Sequence, residues 1–244
     1  MRIPRIYLPA NLSSGQPIEL TEHAFQHAIK VLRLKQNARL ILFNGEGEEY
    51  LAVVENINKR NATVIINEQL ESTKESNLVI QLGLGISKGD RMDFAIQKAV
   101  ELGVAEITPL FTEYCVVNLD EKRMQKKLNH WQGVIISACE QSGRSVLTKL
   151  NTPVNLSQWS QSSNDFSVIF DPVATKTLKD ITPQGNKLNL IIGPEGGLSS
   201  NEISELKKQE NFYAVKFGPR ILRTETAAVS AITAAQLLWG DLLQ

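Results

Sequence analysis

The sequence predicts an α/β protein in which a mostly parallel sheet flanked by helices follows a small barrel or sandwich of β-strands. Two patterns support this fold class. β-branched and aromatic runs broken by turn residues fill the first 72 residues, and strand-like and helix-like runs alternate from about residue 78 onwards. The chain has 244 residues, 42% of them hydrophobic, so it can bury a large core. We therefore place one domain at 1–72 and a second at 73–244.

The first domain is predicted to contain four strands and one helix. The stretches 44–48 and 58–61 have turn chemistry at hairpin spacing. Apolar residues recur every three or four positions after Thr21, a suitable N-cap, so 21–34 predicts a helix that covers the strands. The predicted strands are 5–8, 38–44, 49–58 and 61–68.

The second domain is predicted from its alternation of strands and helices. Asp90 is a plausible N-cap for its first helix and Gly103 a plausible C-terminal stop, and Ser199 with Glu202 matches a capping box. Alternation at this spacing is typical of a parallel sheet. The predicted strands are 78–86, 106–111, 166–172, 188–193 and 212–218, and the predicted helices are 90–103, 124–143, 200–209 and 224–243.

Three of these strands end in loops of unusual composition. The loops are "FDPVA" after 166–170, "GPEGG" after 188–192 and "GPRILRTE" after 213–217. Ligands of parallel sheets bind at the carboxyl ends of the strands. If the three strands are neighbours, their loops form one site.

The glycine-rich loop does not match the common nucleotide motifs. The stretch 83–89 lacks the spacing of a dinucleotide fingerprint, and neither it nor 193–197 has the Gly-Lys-Ser/Thr of a phosphate loop. NAD and ATP are therefore disfavoured. Glycines would still let the backbone approach a flat ring closely, with Pro194 stiffening the loop. The alternative is a tight turn without a ligand.

Composition excludes several classes of protein. The 26 basic and 26 acidic residues balance, so no overall charge indicates nucleic acid, membrane or an acidic substrate. No signal-peptide core and no run near the roughly 20 apolar residues of a membrane span is present, which predicts a soluble, cytoplasmic protein. Cys115 and Cys139 form neither a disulfide framework nor a zinc pattern.

The first domain has an uneven charge distribution. Residues 1–40 hold six basic and two acidic residues, whereas 41–72 hold six acidic and two basic ones. A phosphate-binding RNA module would have such a basic part, and so would a solvated charged face. His23 and His27 have metal-ligand spacing but lack the glutamate of a zinc motif, so no metal site is expected.

Two clusters of polar residues stand beside helix ends. The stretch 139–144, "CEQSGR", gathers a glutamate, an amide and an arginine where a helix ends. The stretch 220–226, "RILRTET", gathers five polar or charged residues at the start of an alanine-rich helix. Exposed amides and the positive helix dipole favour anions or carbonyls there. Ordinary capping would need only one of the five.

Five stretches taken together resemble one known family. They are "GPEGG", "RILRTETA", "QKAVELGV" (97–104), "CEQSGR" and "HAIKVLR" (27–33). Their combination closely resembles the bacterial RsmE family of 16S ribosomal RNA uridine methyltransferases, members of the SPOUT superfamily of S-adenosylmethionine-dependent enzymes. The match spans both predicted domains, which makes it specific.

The resemblance implies a fold and a reaction that spacing alone does not indicate. It implies a PUA-like β-barrel that binds RNA, a SPOUT α/β domain with a trefoil knot, and a homodimer with S-adenosylmethionine in the knot. The implied reaction is methylation of the ring N3 of a uridine in 16S rRNA, within the small ribosomal subunit or a late precursor of it. No metal is implied, because the sulfonium carries the activation.

The site residues follow from the resemblance and the loop positions. We expect the cofactor on loops 170–173, 193–197 and 217–223, with apolar side chains as walls. The residues expected to bind it are Phe170, Asp171, Pro172, Ile192, Gly193, Glu195, Gly196, Gly197, Phe217, Gly218, Ile221, Leu222 and Thr226. The residues expected to bind RNA are Arg2, Arg5, His27, Lys30, Arg33 and Lys88.

Catalysis requires a base and a cation. The target nitrogen must lose its imide proton, and charge then spreads onto the carbonyl oxygens. Glu225 or Glu195 is the expected base, and Arg223 or Arg144 the expected cation. Two other functions remain open: an RNA-binding module without chemistry, and another SPOUT enzyme that methylates a ribose hydroxyl of tRNA or rRNA.

Overall fold

The structure, a computed structural model, describes residues 3–71, 75–115, 120–162 and 164–243. The chain forms two compact units. The first unit comprises Met1–Glu75 and Ile136–Leu147, and the second comprises Ser76–Ile135 and Thr148–Gln244. A segment from the middle of the chain thus belongs to the first unit, which the sequence does not indicate.

The first unit is built on one five-stranded sheet of order β1-β3-β4-β5-β2. Strands β1 and β3 pair in parallel, and the other pairs are antiparallel. The strands are β1 (Arg5–Tyr7), β2 (Pro17–Glu19), β3 (Arg39–Phe43), β4 (Glu49–Ile57) and β5 (Ala62–Leu70). The four predicted strands are present. Strand β2 was not predicted, since a three-residue edge strand that begins with proline shows no alternation of apolar and polar residues.

A helix covers this sheet, as predicted, but its second half is wider than an α-helix. Helix α1 (Glu22–Phe25) is capped by Thr21, whose hydroxyl accepts a hydrogen bond from the Ala24 N–H at 3.3 Å. It continues as a π-helical turn over Gln26–Val31. Arg33 follows with a φ of 56°, a left-handed conformation that is uncommon for residues other than glycine. Such local departures concentrate at functional sites.

Buried polar side chains tie the segment 136–147 into the first unit. The guanidinium of Arg5 pairs with Glu49 and donates to the carbonyl of Arg144 at 3.1 Å and the hydroxyl of Ser145 at 3.2 Å. The guanidinium of Arg144 in turn donates to Glu75 at 2.7 Å. All of these groups are buried except Glu75. Removing one partner of a buried pair such as Arg5 with Glu49 leaves the other as an uncompensated charge, which destabilises the folded unit.

A second buried carboxyl group in the first unit, that of Glu140, has a pKa that couples the stability of this unit to pH. The side chain of Glu140 is 4% exposed; one oxygen accepts from the Tyr7 N–H at 3.1 Å, and the other lies 2.8 Å from His27 Nδ1. Burial raises the pKa of Glu140 above its ordinary value of 4.5. The Tyr7 hydrogen bond and the nearby histidines oppose this shift without cancelling it.

The direction of that shift yields a testable prediction. A raised pKa means that the folded state favours the protonated carboxyl, so its stabilising contribution is present below pH 4.5 and is lost as the pH rises through the raised value. As the pH rises from about 4.5 to about 8, the wild-type protein should lose this contribution, whereas Glu140→Gln should not, because glutamine cannot ionise. The free energy of unfolding of Glu140→Gln should therefore increase relative to that of the wild-type protein over this range. Urea unfolding at both pH values measures this difference. A difference that stays constant would contradict the assignment.

The second unit contains the predicted parallel sheet, in the order β12-β10-β11-β6-β7-β8, with β9 also pairing with β7. Every strand pair in it is parallel. The strands are β6 (Val79–Gly85), β7 (Glu106–Phe111), β8 (Lys149–Leu150), β9 (Val154–Asn155), β10 (Phe166–Phe170), β11 (Lys187–Ile192) and β12 (Phe212–Val215). The α/β class predicted for this part of the chain is confirmed.

Within the described ranges, five helices accompany this sheet. They are α2 (Asp90–Glu101), α3 (Glu121–Ser142), α4 (Leu156–Gln161), α5 (Ser200–Leu206) and α6 (Thr224–Trp239), and a 3-10 turn spans Leu178–Asp180. The last part of α3, from residue 136, falls in the first unit. Strands β8 and β9 and helix α4 were missed, because elements of two to six residues are too short to show a period. Across the described ranges, no helix is long and apolar enough to cross a membrane.

Three of the predicted helix ends can be compared with the structure. Ser199 and Glu202 form the predicted capping box, with hydrogen bonds of 3.1 and 2.8 Å. Gly103, with a φ of 84°, follows the end of α2 as predicted. The prediction for Asp90 is wrong: Asp90 is the first residue of α2, and Gly89, with a φ of 60°, occupies the cap position. Glycine reaches that conformation at low cost, so the chain turns there without a side-chain cap.

Candidate functional site

The three unusual loops meet because their strands are neighbours. Strand β10 lies between β12 and β11 and pairs in parallel with both. Phe170, the last residue of β10, stands opposite Val215 of β12, and Ile169 stands opposite Ile191 of β11. The carboxyl ends of the three strands therefore lie side by side, as the prediction of one shared site requires.

A cavity of about 410 Å³ lies at this edge of the sheet. That volume is within the range of small-molecule sites. All the residues expected to bind cofactor line it, with the exception of Thr226. The full lining is Phe170, Asp171, Pro172, Ile191, Ile192, Gly193, Pro194, Glu195, Gly196, Gly197, Leu198, Ile203, Lys216, Phe217, Gly218, Pro219, Arg220, Ile221, Leu222, Thr224 and Ala227.

The loop 193–197, here called the glycine loop, is folded tightly on itself. The Gly197 N–H donates to the Pro194 carbonyl at 2.8 Å, and Gly197 has a φ of 73°. A Cβ atom on Gly193 would lie 2.7 Å from the carbonyl carbon of Gly197, closer than real Cβ atoms approach. The three glycines of the loop therefore present only backbone to the cavity, beside Pro194 and Glu195.

Two carboxylates on the cavity wall already have partners. Asp171 is 3% exposed, and it accepts from the Val173 N–H at 3.1 Å and from Lys207 Nζ at 2.7 Å. Glu195 accepts from the Lys88 N–H at 3.0 Å and from Arg91 Nη1 at 3.2 Å. Both side chains thus shape their loops in this structure.

The cavity also has a polar group that the sequence analysis missed. The hydroxyl of Thr224 is buried, and it has no hydrogen-bond partner in the part of the chain that the structure describes. Thr224 lines the cavity, whereas Thr226 is exposed and does not. Residues two apart lie on different faces of a helix, and residues three apart share one, so Thr224 lines the cavity together with Ala227. Helical periodicity would have favoured Thr224.

The four residues expected to act in catalysis have different surroundings. Glu195 lines the cavity, while Arg223 is exposed at the N-cap of α6. Glu225 is half-buried in the first turn of α6, and its Oε2 is buried without a hydrogen-bond partner among the residues the structure covers. Arg144 belongs to the first unit, where it is buried and donates to Glu75. Its expected role as the catalytic cation is therefore wrong for this conformation, because the guanidinium is already neutralised.

The residues expected to bind RNA do not form one exposed set. Arg5 is buried against Glu49, so the expectation that it contacts phosphates is wrong. The side chain of His27 is 27% exposed, and its Nδ1 lies against the Glu140 carboxylate. Two of the six candidates are therefore engaged with carboxylates of the first unit.

The remaining RNA-binding expectations concern residues that are exposed or lie outside the described ranges. Lys30 and Arg33 are exposed in the first unit, and the Lys30 ammonium lies 5.2 Å from the Phe25 ring centre. Lys88 is exposed in the second unit, and Arg2 lies outside the described residues. Among the described residues, Lys30 and Arg33 are thus the two predicted cations of the first unit that are exposed.

Comparison with known proteins gives matches to both parts of the chain. Residues 74–236 match the RNA methyltransferase domain model, and residues 20–67 match the RNA methyltransferase PUA domain model. The first of these covers more than half of the chain.

Curated relatives and solved structures match along the whole length. A ribosomal RNA small subunit methyltransferase E from Buchnera aphidicola subsp. Schizaphis graminum is 41% identical, over 99% of this chain and 98% of its own. A Legionella pneumophila structure, described as a methyltransferase with bound cofactor SAM, is 44% identical with a TM-score of 0.96, covering 99% and 100% of the two chains. The ribosomal RNA small subunit methyltransferase E of Neisseria gonorrhoeae bound to S-adenosyl methionine is 39% identical with a TM-score of 0.92 and the same coverage. Because these similarities extend over both units, the chain belongs to the ribosomal RNA small subunit methyltransferase E family of RNA methyltransferases.

Proposed function

We propose that this protein methylates the ring N3 of a uridine in 16S ribosomal RNA with S-adenosylmethionine as the methyl donor. The observation that carries the proposal is the cavity between the three loops, in a chain 39% and 44% identical to proteins solved with this cofactor. The family name specifies small-subunit ribosomal RNA. The position of the methyl group on the uridine is the finer part of the proposal.

The residues of the cavity fit this cofactor. Ile192 and Leu222 supply apolar wall for an adenine ring, and the folded backbone of the glycine loop supplies polar groups without side chains in the way. The buried hydroxyl of Thr224 has no partner among the described residues, so it is suited to hydrogen-bond a ligand. When bound, S-adenosylmethionine supplies a methyl group activated by its sulfonium, so the chain itself has to supply only binding, orientation and proton transfer.

We assign proton transfer to Glu225 and charge stabilisation to Arg223. A base needs an oxygen with a free lone pair, and Glu225 Oε2 has no donor among the described residues. Both residues flank Thr224 at the start of α6, at the rim of the cavity that Thr224 lines, although neither belongs to the cavity lining itself. Arg223 is exposed, so its guanidinium is free to approach an RNA substrate and the charge that spreads onto the uracil carbonyls.

We also propose that the protein acts as a homodimer on the small ribosomal subunit or a late precursor of it. Exposed leucines at the end of the chain support the dimer: Leu237 and Leu238 of α6 are 41% and 43% exposed, and Leu243 is 77% exposed. A group of exposed apolar side chains at one helix end is typical of an interface. Sedimentation equilibrium of the wild-type protein tests this proposal.

The exposed cations of the first unit yield a prediction about RNA binding. Replacing Lys30 and Arg33 together with glutamine should weaken RNA binding and reduce the slope of log affinity against log salt by about 0.7 to 0.9 for each phosphate that the variant no longer neutralises. Fluorescence titrations at several salt concentrations measure that slope. The matched control is Lys59→Gln with Arg60→Gln, which removes two exposed charges from the turn between β4 and β5. Equal slopes for both variants would show that Lys30 and Arg33 are merely solvated.

The proposed reaction is tested by methylation of purified RNA. Wild-type protein, labelled S-adenosylmethionine and small subunits from a strain lacking the gene should yield a methylated uridine, located by mass spectrometry of nuclease digests. A methyl group on the base of 16S rRNA supports the proposal. A methyl group on a ribose or on tRNA would contradict the proposal and indicate the alternative activity, that of a SPOUT enzyme that methylates a ribose hydroxyl of tRNA or rRNA. RNA binding without any calorimetric signal from S-adenosylmethionine would indicate a binding module.

A further inference from the structure

The glycine loop is held from outside the cavity by the beginning of α2. Glu195, in the middle of the loop, accepts hydrogen bonds on one oxygen from the Lys88 N–H at 3.0 Å and from Arg91 Nη1 at 3.2 Å. The two side chains are partly exposed, 46% for Arg91 and 24% for Glu195. Arg91 itself is not part of the cavity lining. Within the described structure, Arg91 therefore acts on the cavity through its contact with Glu195.

Backbone packing holds the loop on either side of this contact. A Cβ atom on Gly85, the last residue of β6, would lie 2.4 Å from the nitrogen of Pro194. A Cβ atom on Gly196 would lie 2.8 Å from Cβ of Tyr114. Main chain and side chain thus touch the loop directly before and after Glu195. Between these fixed contacts, the orientation of Glu195 is set by Lys88 and Arg91.

The same contacts favour the ionised form of Glu195. Partial burial acts to raise the pKa of Glu195, but hydrogen bonds from the Lys88 and Glu195 backbone N–H groups and the charge of Arg91 outweigh it and hold that pKa below its ordinary value. A carboxylate with a lowered pKa and an oxygen that already accepts two hydrogen bonds is a poor proton acceptor near neutral pH. Glu195 is therefore less suited to act as the base than Glu225, whose Oε2 has no such donors in the described structure.

We propose that Arg91 and Glu195 are positioning residues that hold the glycine loop in its cofactor-binding shape. Arg91 acts through Glu195, and neither residue takes the proton from the substrate. The inference rests on the proposed function in one respect, namely that the cavity is the S-adenosylmethionine site. The contact between Arg91 and Glu195 holds the loop whichever ligand the cavity binds.

The first experiment measures the loop without any ligand. In Arg91→Gln the amide protons of the glycine loop, including the Gly197 N–H, should exchange with deuterium several-fold faster than in the wild-type protein, because the loop opens more often. Arg91→Lys should restore slow exchange in part. The control is Arg123→Gln, which removes an equally charged side chain that is 72% exposed and pairs with Asp120 at 3.4 Å. Equal exchange in Arg91→Gln and wild type would overturn the proposal, whatever the cavity binds.

The second experiment links the loop to the cofactor. Calorimetry should show S-adenosylmethionine binding about two- to five-fold more weakly to Arg91→Gln, the range expected for a partly exposed ion pair, and unchanged binding to Arg123→Gln. In methylation assays, Arg91→Gln should mainly raise the KM for S-adenosylmethionine and should leave kcat and its pH profile nearly unchanged. A large fall in kcat with a shifted pH profile would overturn the positioning role. Absence of binding by the wild-type protein would instead overturn the proposed function, and the exchange experiment would still decide the role of Arg91.

A substitution of Glu195 distinguishes positioning from base catalysis. Glutamine keeps a carbonyl oxygen that can accept from Lys88 and Arg91, so Glu195→Gln should weaken cofactor binding only a few-fold. Loss of a general base would instead reduce kcat by about two to four powers of ten. Glu195→Ala removes both hydrogen bonds and should weaken binding more than Glu195→Gln does. A hundredfold fall in kcat for Glu195→Gln, with cofactor affinity intact, would make Glu195 the base and overturn the assignment.

Discussion

Replacing Glu225 with glutamine should lower turnover by about two to four powers of ten, the contribution of a general base. Raising the pH should partly restore the rate, because the uracil imide then ionises without help from the protein. The fold should survive, since the buried face of α6 is formed by other residues, among them Ala228, Ala231 and Ile232. Methyl transfer from labelled S-adenosylmethionine, followed across the pH range, measures both effects.

Two further variants define what the Glu225 result means. Arg223→Ala should also be slow, but a higher pH should not rescue it, because the missing group stabilises charge rather than accepting a proton. Glu205→Gln is the matched control, since Glu205 is an exposed carboxylate of α5 that pairs with Lys208 and should not affect the rate. Similar rates and identical pH profiles for wild type and Glu225→Gln would remove Glu225 as the base.

Adding a single methyl group at Gly85 should abolish most of the cofactor affinity. In Gly85→Ala the new Cβ would start 2.4 Å from the nitrogen of Pro194, which is backbone and cannot rotate away. Either the glycine loop moves or β6 shifts, and overpacking of this kind costs about 1–3 kcal/mol of stability. Cofactor binding would require the displaced loop to return to its present shape, so this strain is subtracted from the binding free energy. We expect cofactor affinity to fall by about ten-fold or more, since each 1.4 kcal/mol corresponds to a factor of ten.

The control for Gly85 is a glycine that has room for a side chain. A Cβ atom on Gly133, in the middle of α3, would meet no atom within 4 Å, so Gly133→Ala should be neutral or up to about 1 kcal/mol more stable. Urea unfolding gives the stability of both variants, and calorimetry gives their cofactor affinity. If Gly85→Ala binds like the wild-type protein, the contact between β6 and Pro194 does not shape the cavity.

Local chemistry made the three loops at the cavity predictable. Glycine and proline after an apolar strand are readable in one sequence, because their conformational limits act at their own positions. The parallel order of β12, β10 and β11 then brought these loops together, as the alternation of strands and helices implied. Thr226 was predicted instead of Thr224 because the residue types at the start of α6 do not show which of them lie on the helix face that lines the cavity.

The charged residues were harder to place. Arg5 and Arg144 look like candidates for RNA and substrate in the sequence, yet both are buried with carboxylate partners in the first unit. Their partners Glu49 and Glu75 lie 44 and 69 positions away. An arginine looks the same in the sequence whether its side chain faces solvent or pairs with a buried carboxylate. Only the contacts of the folded chain distinguish an exposed arginine from a buried one.

By itself, then, the amino-acid sequence determined the α/β class, the glycine loop and its neighbours, and the resemblance to an RNA methyltransferase family, since these depend on periodicity and on residues acting locally. The tertiary structure decided which charges are neutralised, which face of α6 reaches the cavity, and that Arg91 holds Glu195 from 104 positions away. Such pairings depend on the path of the chain in space. Ion pairs and backbone contacts act over a few ångströms, and the sequence does not record which distant residues come that close.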